Sequence, residues 1–210
     1  MDKISVIVPC FNEEDVLPLF YQEVTKVLES IENTTYELLF INDGSSDHTE
    51  DLIKLMAHKN KQCFYYSFSR NFGKEAAMYA GLENATGDYV VIMDADLQHP
   101  PYLLKEMYRS LKEENYDCCA GKRIDRTGEG KLRNFLSHSF YKVIQTLTKM
   151  DMDDGAGDFR MMTRQMVDAI LELKEYNRYM KGLFSFVGFN TKWLEFNNVE
   201  RQGGKTKWSF

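Results

Sequence analysis

Two spacings of apolar residues alternate along the first 120 positions, and each switch marks a new element. Ile4-Ser5-Val6-Ile7-Val8-Pro9 is a β-branched run closed by proline, which predicts a buried strand. From about residue 14 to 31, Val16, Leu19, Phe20, Val24, Val27, Leu28 and Ile31 share one side of a helix. Tyr36 to Ile41 reads as a second strand, and Ser46 or Asp47 can cap a helix running to about His58. Phe64–Phe68 and Tyr89–Met93 read as further strands with a helix over Lys74–Glu83 between them. A helix is expected after Pro100-Pro101, then a short strand around Tyr116–Ala120.

Strands and helices alternating with short connections predict an α/β fold, a mostly parallel central sheet with helices on both faces. Beyond Gly121 the regularity weakens. The remaining chain reads as a basic loop and helix (Lys122 to Lys149), a Gly/Asp-rich turn (Asp151 to Asp158) and a Gly/Lys-rich tail (Arg201 to Lys207). No internal repeat is visible. The chain is read as one α/β domain over 1–210 whose second half (121–210) builds substrate-binding elaborations.

Composition narrows the class only a little. With 43% hydrophobic and 28% charged residues among 210, the chain is ordinary globular material. Its net charge of −6 argues against a nucleic-acid binder, so no nucleic-acid partner is expected. Cys10, Cys63, Cys118 and Cys119 show neither a disulfide framework nor zinc-ligand spacing and are expected to be buried, reduced thiols. No stretch approaches the ~18 apolar residues of a membrane span.

In an open parallel sheet, ligands bind at the carboxyl ends of the strands. The segments just after the first four predicted strands are all polar: Pro9-Cys10-Phe11-Asn12-Glu13, Asn42-Asp43-Gly44-Ser45, Ser69 to Lys74, and Asp94-Ala95-Asp96-Leu97-Gln98. A solvated turn explains any one of them, but four in register explain themselves better as one site. Nucleotide-binding alternatives fail on inspection. No G-x-G-x-x-G follows the first strand, and Gly204-Lys205-Thr206 lacks the earlier P-loop glycine, the position being Val199.

Asp94-Ala95-Asp96 is the sharpest feature. Two carboxylates straight after a buried strand, with Gln98 two residues on, offer hard oxygen ligands to Mg²⁺ or Mn²⁺. Lys74 opens a helix, where the dipole disfavours a cation, so a ligand diphosphate is its expected partner. In the second half, Arg123, Arg126, Lys131 and Arg133 lie in one segment, and Arg133 shares a helix face with Ser137. Such a cradle suits a phosphate.

Together these stretches resemble the inverting family 2 glycosyltransferases of the nucleotide-diphospho-sugar (GT-A) fold. The resemblance rests on Val6–Pro9 with Phe11-Asn12-Glu13, Asn42 to Asp47 with Thr49, Gly81, and Gly87 to Pro101. It is closest to the polyprenyl-phosphate branch, which includes dolichyl-phosphate mannose synthase and bactoprenol glucosyltransferases. Asn71 to Lys74, Asp94 to Pro101, Gly121-Lys122-Arg123, Gly155 to Arg160 and Arg201 to Trp208 carry that narrower likeness. One departure is Asn42-Asp43, where two aspartates are common; the base contact falls on Asp43, which is kept.

The resemblance implies a metal-dependent, inverting transfer of a sugar from a nucleotide-diphospho-sugar, with UDP-glucose or UDP-N-acetylglucosamine favoured over GDP-mannose, to a polyprenyl phosphate. It places the donor against Pro9, Asn12, Glu13, Asp43, Lys74 and Asp94. Asp96 and Gln98 would hold Mg²⁺ or Mn²⁺, with Asp94 bracing the ribose or the metal's outer shell. Asp158 falls at the reaction centre, orienting the acceptor or the sugar hydroxyls, and Arg201 and Lys205 clamp the donor diphosphate or lipid phosphate from the tail. Arg123, Arg133 and Ser137 are the acceptor-phosphate candidates. Members of this branch usually continue past the Lys-Trp motif into an amphipathic segment and transmembrane helices. The resemblance therefore implies that this chain is the trimmed soluble portion of a protein at the cytoplasmic face of the cell membrane, a single catalytic domain with a nucleotide-sugar-binding half (1–120) and an acceptor-binding half ending in a lid (121–210). A glycan-hydroxyl transferase and a non-catalytic nucleotide-sugar-binding module are the alternatives, and a homo-oligomer is left open. The Q-x-x-R-W motif of processive synthases is not found.

Overall fold

A computed structural model of the chain describes residues 1–124, 156–175 and 178–197. Strand β1 (Asp2–Cys10) is followed by α1 (Leu17–Glu29), β2 (Thr34–Asn42), α2 (Thr49–Lys59), β3 (Cys63–Ser67), α3 (Lys74–Asn84), β4 (Tyr89–Ile92), α4 (Leu103–Glu113) and β5 (Cys118–Arg123). After 125–155 come β6 (Ala156–Thr163), α5 (Arg164–Glu172), α6 (Met180–Phe186) and β7 (Thr191–Phe196). The seven strands form one sheet in the order β3-β2-β1-β4-β6-β5-β7. β1, β2, β3 and β4 are mutually parallel, as is the β5–β7 pair, whereas β6 runs antiparallel to both β4 and β5.

The sheet is buried on both sides because its strands carry apolar residues at consecutive positions. Val6, Val8, Leu38, Phe40, Val91 and Phe159 face one layer, where Phe20 and Val24 of α1, Ile53 of α2 and Leu104 and Met107 of α4 cover them. Ile7, Leu39, Ile41, Val90, Ile92 and Met162 face the other, packed under Met78 of α3, Val167 and Ile170 of α5 and Phe184 of α6. Helices therefore lie on both faces, as the alternation of the first half requires. All four cysteines are buried thiols outside any disulfide. Burial pushes Cys63 up to about 11 and Cys119 up to about 12, so both are protonated at neutral pH. Among the described residues no helix is long and apolar enough to cross a membrane.

Three expectations change in detail. Helix α1 starts at Leu17, later than its apolar spacing suggests, because Pro18 fits only the first turn. Helix α2 starts at Thr49, with the Asp47 carboxylate accepting the Thr49 N–H at 3.0 Å, so Asp47 caps from just outside the helix. The larger correction is at Asp158. Glycine and aspartate content predicts a turn through that residue, yet Ala156–Thr163 is a strand that fills the gap between β4 and β5. Trp193 lies on β7 and packs partly buried against the second apolar layer.

Candidate active site

The loops leaving β1 and β2 are knitted together by short polar side chains. Asn12 adopts a left-handed backbone (φ 54°), a conformation asparagine tolerates better than most residues. Its Oδ1 accepts the Ser46 N–H at 2.8 Å, and its own N–H donates to Ser45 Oγ at 3.0 Å. Glu13 is buried beside it, its N–H donating to Thr49 Oγ1 at 2.7 Å. Pro9 sits on β1 opposite Ile41.

Asp43 has a task that sequence reasoning did not foresee. Its carboxylate is buried and accepts the N–H groups of Phe72 (2.7 Å) and Gly73 (3.0 Å), pinning the loop that leads into α3. Gly44 makes that contact sterically feasible: it has φ +68°, and a Cβ there would run into the backbone of Arg70 and Asn71. The pinned loop delivers Lys74 to the first turn of α3.

Lys74 is the centre of the site. Its ammonium lies 2.7 Å from Asp94 Oδ1 and 2.8 Å from Asp158 Oδ2, joining a carboxylate at the end of β4 to one near the start of β6. The register explains the meeting. Ile92 pairs with Arg160 across the antiparallel β4–β6 ladder, so Asp94, two residues past the end of β4, comes beside Asp158, two residues before Arg160 on β6. Burial opposes charge on Lys74 and on Asp94, but the pairing prevails. Asp94 and Asp158 hold the Lys74 pKa above its ordinary value, and Lys74 holds the Asp94 carboxyl below its own. Asp158 Oδ1 is buried with no hydrogen-bond partner.

The metal candidates lie on the adjoining loop. Asp96 is buried, and its Oδ1 accepts the Gln98 N–H at 3.1 Å across Leu97, which is left-handed at φ 57°. Asp96 and Gln98 are hard oxygen donors on one tight turn, and among the described residues no three His, Cys, Asp or Glu side chains converge on a single point. That donor set fits Mg²⁺ or Mn²⁺ held by one or two protein oxygens plus substrate phosphate, rather than a metal caged by protein alone.

Pro9, Asn12, Glu13, Asp43, Lys74, Asp94, Asp96, Gln98 and Asp158 thus share one edge of the sheet. Arg123 ends β5, half-buried and paired in register with Phe196. Arg133, Ser137, Arg201 and Lys205 lie outside the described residues. Two neighbours of the site escape sequence reasoning as individual residues. His99 is buried just after Gln98 with Nδ1 unpartnered, and Arg160 is buried just after Phe159 with Nε unpartnered. Burial keeps the His99 imidazole neutral, its pKa pushed below the usual value. No periodicity marks either residue; the only available signal is an ionisable side chain inside a core-like run.

The sheet order, the helices on both faces and the carboxylate-lined edge together define the GT-A class of nucleotide-sugar transferases. The chain belongs to glycosyl transferase family 2, whose model matches residues 5–171. It is similar to the Bacillus subtilis (strain 168) protein named "Putative glycosyltransferase CsbB", with 47% identity over 207 residues, 99% of this chain and 62% of that one. It is also similar to the prophage bactoprenol glucosyl transferase homolog of Escherichia coli (strain K12), with 39% identity over 211 residues, 99% of this chain and 67% of the relative. The chain therefore spans roughly two thirds of the length of these relatives. Among solved structures, the mannosyltransferase PcManGT from Pyrobaculum calidifontis, in complex with GDP-Man and Mn²⁺, matches with a TM-score of 0.66 and 18% identity, over 95% of this chain and 57% of that one. At that identity the likeness concerns the fold alone.

Proposed function

We propose that this chain transfers a hexosyl group from a nucleotide-diphospho-sugar, UDP-glucose or UDP-N-acetylglucosamine, to a polyprenyl phosphate, with inversion at the anomeric carbon. The observation that carries this reading is the Lys74 ammonium held between Asp94 and Asp158, beside Asp96 and Gln98, where β1, β2 and β4 end. The names of relatives that act on bactoprenol support the acceptor class.

Each residue has a task in this reading. Pro9, Asn12 and Glu13 line the nucleoside, and Asp43 keeps unused lone pairs for an N–H of the base after anchoring the Phe72-Gly73 backbone. Lys74 presents a fixed positive charge to the diphosphate. Asp96 and Gln98, with Asp94 behind them, would hold Mg²⁺ or Mn²⁺, which supplies charge neutralisation to the departing nucleoside diphosphate. Asp158, with one oxygen tied to Lys74 and the other unpartnered, is set to accept a hydrogen bond from a hydroxyl of the transferred sugar or to orient the acceptor.

No strong base is required. A phosphate monoester has a second pKa of about 6 and is already nucleophilic at neutral pH, so a cationic cradle replaces proton abstraction. Arg123, Arg133 and Ser137 are assigned to that cradle, and Arg201 and Lys205 to closing over the phosphates. The acceptor's phosphate lies at a bilayer surface, so the chain works against a membrane, at its cytoplasmic face.

The test is a panel of UDP-glucose, UDP-N-acetylglucosamine and GDP-mannose offered with a short-chain polyprenyl phosphate and Mg²⁺ or Mn²⁺. Transfer from a UDP-sugar to the lipid phosphate, abolished by EDTA, is expected. Full transfer in excess EDTA removes the metal from the reading, and transfer to a glycan hydroxyl but not to the lipid phosphate replaces the acceptor.

A further inference from the structure

Asp158 lies in an irregular stretch of β6. Ala120 pairs with Arg160 and Lys122 with Ala156, so a step of two residues on β5 meets a step of four on β6. Gly157, Asp158 and Phe159 bulge opposite Gly121, and bulges beside active sites serve to re-aim a side chain.

The bulge is held by side chains from several elements. Arg160 Nη2 donates to Gly157 O at 3.0 Å, closing the loop of backbone around Asp158. The Arg160 guanidinium lies 3.8 Å from the centroid of the Phe184 ring of α6. Phe159 occupies the space beside Gly121, where a Cβ would lie 2.8 Å from its Cδ1 and 2.8 Å from Phe196 Cε1. The Phe159 ring is stacked on the imidazole of His99, with centroids 4.8 Å apart and planes within 10°. Phe196 of β7 meets both rings edge-on at 6.3 Å. His99 belongs to the loop that carries Asp94, Asp96 and Gln98, so the stack is a direct mechanical link between that loop and the bulge.

We propose that His99, Phe159 and Arg160 are positioning residues that clamp this bulge and so fix the Asp158 carboxylate against the Asp94–Gln98 loop. The proposal rests on the reading of Asp158 as a group of the reaction centre. His99 acts here as a flat ring, its plane laid against Phe159 and its Nδ1 without a hydrogen-bond partner. Misplacement by an ångström suffices to cost about a hundredfold in rate.

The test uses the full chain with His99→Ala, His99→Phe and Arg160→Met, measuring kcat, donor KM and thermal midpoint. His99→Ala should lower kcat by about tenfold to a hundredfold and change donor KM by less than about twofold. His99→Phe, which keeps the stack and discards the nitrogens, should restore most of the lost kcat. Equal loss in His99→Ala and His99→Phe overturns the proposal, as does a loss confined to donor KM or to stability. If His99→Ala fails to fold, Arg160→Met carries the same kcat-against-KM split, since methionine can keep contact with the Phe184 ring. Wild-type kcat in Asp158→Asn would instead overturn the role given to Asp158 itself.

Discussion

Two lysine–carboxylate clusters sit towards opposite edges of the same strands, and they are built to different standards. At one edge, Lys3 Nζ lies 2.5 Å from Glu37 Oε2. Glu37 also accepts the Ser5 hydroxyl at 2.6 Å, the Thr86 N–H at 2.7 Å and the Thr86 hydroxyl at 3.0 Å. Ser5 Oγ in turn accepts the Gly87 N–H at 2.7 Å, and Arg164 donates to the carbonyls of Ala85 and Gly87. At the other edge, Lys74 joins Asp94 to Asp158, yet Asp158 Oδ1, His99 Nδ1 and Arg160 Nε are all buried without partners. A satisfied polar network holds β1, β2 and the start of β4 in register. Unsatisfied polar atoms at the other end await a ligand or serve to aim one.

The largest effect expected from this contrast is on Asp158. Asp158→Asn should lower kcat by about a hundredfold or more, as loss of a charged transition-state contact does, and move the thermal midpoint little. Asparagine removes a buried carboxylate that was half satisfied, and Lys74 retains Asp94. A collapse in thermal midpoint would place Asp158 with the structural cluster and erase the distinction.

Glu37→Gln should show the opposite signature. It removes a charged acceptor of four hydrogen bonds or ion pairs, so a cost of about 2–3 kcal/mol in stability is expected, with kcat per folded molecule unchanged. Burial alone would raise the Glu37 pKa, but Lys3, Ser5 and Thr86 overcome it and hold it below the ordinary value. A group whose pKa is depressed on folding contributes its stability above the unfolded value, about 4.3, and loses it as pH falls through the folded one. The stability gap between wild type and Glu37→Gln should therefore be full at neutral pH and narrow below about pH 4. Denaturant melts across that window measure it; a gap that widens on acidification contradicts the assignment.

The same division marks how much the sequence discloses. Where strands run parallel, the residues that matter come directly after an apolar β-branched run, so Asn12, Asp43, Lys74, Asp94 and Asp96 can be found by reading each strand's exit. Asp158 reaches the same edge from the start of an antiparallel strand. Its approach through Gly155-Ala156-Gly157 is poor strand material, and Met161-Met162 lacks the β-branching that announces β1 and β4. The resemblance points to the residue, but the bulge that aims it depends on a mismatch between two strands that no single segment contains. Other elements of the second half carry fainter signals. Met166, Val167 and Ile170 have helical spacing after Thr163, whose hydroxyl accepts the Met166 N–H and caps α5. On β7, buried Leu194 and Phe196 flank the exposed Glu195, a short alternation easily lost beside the charged residues around it.

The smallest effect distinguishes the lysines themselves. Lys3 donates to Thr86 Oγ1 at 2.6 Å as well as to Glu37, but its side chain is 35% exposed, so solvent screens the pair. Glu37 keeps its Ser5 and Thr86 donors when Lys3 is removed, which leaves its charge solvated by the protein. Lys3→Met should accordingly cost under about 1 kcal/mol, the range of exposed ion pairs, and leave donor KM untouched. Lys74 has the same kind of partner but a different dependence: its two carboxylates have fewer alternative donors, and its charge is assigned to the donor diphosphate. Lys74→Met should therefore raise donor KM while Lys3→Met does not, with both variants folded. Parallel titrations with UDP-glucose compare them. A rise in donor KM in both variants, or in neither, would mean that the two clusters differ in position along the sheet and not in purpose.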